Sequence, residues 1–98
     1  MRARGEAQEG QGRATNDLDD ARLLASAQAG ALDAVGVLYD RHATVLYRLA
    51  VRLVGPPAAE TVVVEVMVTA LTRPGAVSGG RPLPAQLLRL TERACRGR

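Results

Sequence analysis

The sequence predicts an all-α protein, a small four-helix bundle. Three observations carry that reading. Leu32, Val35, Tyr39, His42, Leu46, Leu49 and Leu53 recur in alternating steps of three and four, the spacing that gathers side chains on one face of a helix. Helix breakers divide the chain into separate stretches at Gly30, at Gly55-Pro56-Pro57 and between Pro74 and Gly80. No stretch shows the strict apolar–polar alternation of a half-buried strand.

Ninety-eight residues fit one domain with a modest core. The chain has no Phe or Trp, and its only aromatic residues are Tyr39 and Tyr47. The core must therefore come from Leu, Val and Ala. Residues 1–16 are rich in Gly, Gln, Glu, Ala and Arg without apolar periodicity, and read as a disordered tail. Residues 17–98 read as the helical domain.

The first helix starts at Asp17, a good N-cap, with Asp19 and Asp20 in a first turn where the helix dipole favours anions. It carries Leu23, Leu24 and Ala27 inward and stops near Gly30. The second runs from about Ala31 to Val54, with Arg41, Thr44, Arg48 and Arg52 opposite its apolar stripe. Gly55 ends it, and the two prolines suit the first turn of the next helix.

Residues 58–73 pose a conflict between propensity and pattern. The run from Val62 to Val68 is β-branched and favours a strand. However, Thr61, Glu65, Thr69 and Thr72 step by four, four and three, which makes one polar stripe of a helix. The pattern decides for helix. Because the remaining girth is apolar, a small bundle would leave Val64 or Val68 exposed, and such a patch suits a protein partner. Pro74, Gly75, Gly79 and Gly80 form a loop, and a last helix starts near Pro82. Its apolar stripe is Leu83, Leu87, Leu90 and Ala94; Gln86, Arg89, Arg93 and Arg96 form a mostly basic one.

Charge is uneven. From Arg73 onward, six Arg stand against Glu92, giving +5, whereas residues 1–72 hold seven Arg against nine acids, giving −2. A basic C-terminal third fits an anionic partner, most commonly nucleic acid, or a merely solvated basic face. Arginines near a helix C-terminus also complement its dipole.

Enzyme chemistry is not expected. The single His, His42, lies on the apolar stripe and reads as a packed, hydrogen-bonded core residue. Cys95 is alone and reads as a small apolar filler. Glu60 and Glu65 stand about 140° apart around a helix and make no acid–base pair on spacing alone. No phosphate-cradling or dinucleotide motif occurs, and no cofactor or metal is expected. There is no signal-peptide pattern and no apolar run to span a bilayer, so the expected location is the cytoplasm, with no membrane partner.

The order of residues in the second helix adds a family resemblance. Leu23-Leu24, Gly30, Leu38-Tyr39-Asp40-Arg41-His42-Ala43, Leu46-Tyr47-Arg48-Leu49-Ala50 and Arg52-Leu53-Val54-Gly55 resemble bacterial RNA polymerase sigma factors, in region two of the extracytoplasmic-function group. The likeness continues through Ala59-Glu60, Val62-Val63 and Glu65-Val66-Met67, and resumes at Leu87-Leu88-Arg89-Leu90. It implies that the helix at Glu60–Arg73 docks on the β′ clamp helices of core RNA polymerase. It also implies that the following loop and last helix recognise and melt the promoter −10 element by trapping flipped bases. The residues so implicated are Glu60, Val64, Glu65, Met67 and Val68 for polymerase binding, and Arg73, Arg81, Arg89, Arg93 and Arg96 for DNA.

The chain departs from the family pattern where those tasks lie. Leu71 and Gln86 stand where the family usually has large aromatics, Thr61 replaces an acid and Val64 a polar residue, while Glu65 is retained. No region four follows the last helix, so reading of a −35 element is not expected. The competing expectations are a degenerate, non-melting module that binds polymerase, an anti-sigma protein or a separately encoded region four, and a truncated remnant.

Overall fold

The computed structural model describes residues 18–98; the tail at 1–16 and the capping residue Asp17 lie outside the described residues. Four helices are described: α1 over 18–28, α2 over Leu32–Val54, α3 over Pro56–Thr72 and α4 over Leu83–Arg96, with no strand among the described residues. The all-α bundle read from the sequence is therefore the fold. Each of α2, α3 and α4 packs against the other two, and α1 lies across them. Among the described residues, no helix is long and apolar enough to cross a membrane.

Gly30 terminates α1 as the pattern predicts. It takes φ +101°, its N–H donates to Ala27 O at 3.0 Å, and the Ala31 N–H donates to Ser26 O at 3.0 Å. This pair of bonds is a Schellman stop, which satisfies carbonyls that the ended helix leaves open. Leu24 and Ala27 are buried and Leu23 partly so. The Gln28 amide donates to Ala70 O at 3.2 Å and ties the end of α1 to α3. Asp20 does more than complement a dipole. It is 5% exposed, and its Oδ1 lies 3.3 Å from both Arg41 Nη1 and His42 Nε2 on α2. His42 is thus the packed, bonded residue expected, with its partner on α1.

The inward face of α2 differs from the stripe that the spacing predicts. The buried residues are Ala34, Leu38, His42, Leu46 and Ala50, stepping uniformly by four. Leu32 and Leu53 are instead exposed, as is much of Tyr39. Rows of i, i+4 residues slant around the helix and are the ridges used when helices cross obliquely. A straight three–four stripe suits near-parallel packing, so it misplaces both ends of a long crossing helix. The same slant appears in α4, where Leu83, Leu87, Thr91 and Cys95 are buried and Leu90 and Ala94 only partly so. Thr91 is fully buried because its hydroxyl donates to Leu87 O at 2.8 Å, which satisfies the one polar group it carries.

Helix α3 begins at Pro56 rather than near residue 58, with both prolines in the first turn. Those positions have no intrahelical acceptor for an N–H, so the missing donors cost nothing there. Ala59, Val62, Val63, Val66, Met67 and Ala70 face the core. Val64 and Val68 stay 46% and 53% exposed, as expected of a helix apolar nearly all round in a bundle this small.

Candidate functional site

The segment between α3 and α4, residues 73–82, is held by one side chain. Gln86 Oε1 accepts from the Ser78 N–H at 2.7 Å, and its Nε2 donates to Ser78 O at 2.7 Å and Arg81 O at 3.1 Å. The Gln86 amide therefore pairs with the Ser78 backbone as a neighbouring strand would. On the far side, a Cβ placed on Gly79 would sit 3.4 Å from the Ala21 Cβ, so this loop rests on α1.

Seating the loop gathers the basic residues. Arg81, Arg89 and Arg93 line an open concavity of about 420 Å³ with Gly75, Ser78 and Gln86. A neighbouring one of about 280 Å³ is lined by Arg73, Arg93 and Glu65. Arg93 belongs to both, so four of the five arginines picked out in the sequence form one continuous basic face. All four are exposed. Arg96 stands apart. It lies 3.9 Å from Glu92 one turn back and lines a separate hollow with Leu53 and Cys95. It is a helix-surface ion pair, a kind that contributes little to stability.

The five residues assigned to polymerase contact divide as well. Glu60, Val64, Glu65 and Val68 are exposed on α3, whereas Met67 is 6% exposed and belongs to the core. Met67 can hold α3 in place but offers no surface to a partner; its position one step before Val68 puts it about 100° round the helix. Glu65 is ion-paired with Arg98 beyond the end of α4. Glu60 has no ion-pair or hydrogen-bond partner among the described residues, and lines a hollow of about 350 Å³ with Tyr39, Ala43, Thr44, Tyr47 and Val63.

Several of these arrangements have no local signal in the sequence. The Gln86–Ser78 pairing spans eight residues of irregular chain, and the Glu65–Arg98 pair joins residues 33 apart. Leu71 and Gln86, at positions where the family resemblance implies aromatics, are half-buried. Neither turns a ring toward the basic concavity, and both tyrosines lie on α2. Burial raises the Cys95 thiol above its ordinary range, partly offset by the positive charge of Arg98. That makes it a poor nucleophile at neutral pH. Among the described residues, no group of three or more His, Cys, Asp and Glu is placed to hold a metal ion.

These features define a small all-α helical bundle with a basic face at α4 and a mixed apolar–acidic face at α2 and α3. No protein family, curated protein or solved structure matches the chain.

Proposed function

We propose that the protein is a sigma-factor-like transcription protein that docks on core RNA polymerase through the exposed side of α3 and lays promoter −10 DNA along the basic face of α4. The observation that carries this reading is the convergence of Arg73, Arg81, Arg89 and Arg93 on two adjoining concavities, in the segment where the resemblance implies DNA contact. Guanidinium groups in such a row neutralise successive phosphates, which positions a strand without reading its bases. The exposed Glu60, Val64, Glu65 and Val68 supply the polymerase-facing ridge in the same reading.

A second reading, a polymerase-binding module that does not melt promoters, is favoured by the state of Gln86. Melting is driven by stacking extruded bases on aromatic platforms. Here Gln86 is occupied in pairing with Ser78, and the segment 73–96 contains no aromatic residue. The DNA contact in that case is to backbone phosphates alone, and an anti-sigma protein or a separate region four becomes an alternative occupant of α3.

Capture of purified core RNA polymerase by the full chain tests both readings. Capture by the native chain, reduced at least severalfold by Glu65→Arg, is expected. Failure of the native chain to capture polymerase would sink both. Capture without retention of single-stranded −10 DNA by the complex would select the second.

A further inference from the structure

The hollow between α2 and α3 is built as a socket for a cation. Tyr39, Ala43 and Tyr47 follow one another at steps of four on α2, so all three face the same way. The sequence of large, small and large side chains leaves a notch, with half-exposed rings as walls and the partly buried Ala43 as its floor. Val63 of α3 closes the notch from beneath, and the Glu60 carboxylate stands at its rim. Asp20, Glu65 and Glu92 each have an arginine partner. Glu60 has none among the described residues, although the chain has thirteen arginines. An unpaired carboxylate beside two electron-rich ring faces favours a guanidinium or ammonium group over any neutral one.

The surroundings say what carries that cation. Glu60, Val64 and Val68 step by four along α3 and are all exposed, so the acidic rim continues into an apolar ridge. An acid followed at one-turn intervals by two valines is complementary to an amphipathic helix that presents a basic residue followed by apolar ones at the same spacing. We propose that Tyr39, Tyr47 and Glu60 form a socket for an arginine or lysine side chain projecting from a partner helix, with Val64 and Val68 receiving the apolar residues beside it. The inference goes beyond the transcription reading, because it concerns the chemistry of the partner's anchor residue and stands whichever protein supplies it.

The test uses the full chain and a synthetic helical peptide with one Arg followed by Leu at four and eight positions, compared with the same peptide carrying Gln for Arg. Binding is followed by NMR of the Tyr39 and Tyr47 ring resonances. The Arg peptide is expected to shift both rings and to bind about fivefold to tenfold more tightly than the Gln peptide, the effect of one exposed cation–π contact together with one exposed ion pair. Glu60→Gln should abolish most of that preference while leaving the helical circular dichroism unchanged, since Glu60 is a surface residue. Tyr47→Leu, which keeps the apolar wall but removes the ring, should reduce the preference by itself. Equal affinity for the two peptides, an Arg preference intact in Glu60→Gln, or no ring shift at millimolar Arg peptide would each overturn the socket. Because no polymerase enters the measurement, failure here leaves polymerase capture unaffected, and failure of capture leaves the socket standing.

Discussion

Asp20 illustrates how a residue's setting changes its meaning. In the sequence it is one of two acids near a helix start, where it contributes a few tenths of a kcal/mol through the dipole. In the fold it is a buried acceptor for Arg41 and His42, and it fastens α1 to α2. Replacing it by alanine leaves the His42 ring without its partner inside the bundle. Asp20→Ala should therefore cost about 2 kcal/mol, the usual penalty for stranding a buried partner of a charged hydrogen bond. Urea unfolding reads this as a lower midpoint at unchanged slope. An unshifted midpoint would mean that α1 is held by Leu24 and Ala27 alone. His42 was legible as a core residue because it lies among leucines at helical spacing. Its partner was not, since the two residues are 22 positions apart and nothing local couples them.

At the scale of elements, the breakers in the sequence mark the boundaries well. Gly55 is the clearest. It takes φ +85° and ψ 161°, a combination open essentially to glycine only. Its N–H still donates to Val51 O at 2.9 Å and its carbonyl accepts from the Ala59 N–H at 3.2 Å, so one residue closes α2 and opens α3. A Cβ there would meet only Pro57 Cδ at 3.8 Å. The cost of Gly55→Ala is thus conformational rather than steric, about 1–3 kcal/mol. A thermal melt should show the loss without a change in helix content at low temperature; an unchanged melting temperature would mean that the α2–α3 corner relaxes freely. Helix α3 was legible despite its β-branched run, because the Thr61–Glu65–Thr69–Thr72 stripe can only be helical and the bundle supplies the burial that propensity withholds. The inward faces of α2 and α4 were legible only in part. Spacing identifies an apolar stripe, but the slant of the buried row depends on the angle at which a neighbour crosses.

The whole molecule separates two kinds of surface. The basic face lies on α4 and the preceding loop, while the tyrosines, Glu60 and the exposed valines lie on α2 and α3. Such a division lets an anionic and a cationic partner bind together. Converting Arg89 and Arg93 together to alanine should weaken binding to a single-stranded oligonucleotide and flatten its dependence on log salt by about 1.4, given roughly 0.7 per neutralised phosphate. Arg48→Ala with Arg52→Ala, on α2 and outside both basic concavities, should leave the slope unchanged. A slope insensitive to Arg89 and Arg93 would remove them from the contact. The sequence by itself determined the helices, their breaks, the aliphatic make-up of the core and the excess of arginine toward the C-terminal end, because these depend on spacing and composition within a single turn or a single segment. Only the tertiary structure decided that four arginines share one face while Arg96 does not, that Met67 is core while Val68 is surface, and that Gln86 holds the loop. Each of those outcomes depends on crossing angles and on contacts between distant residues, which no local pattern encodes.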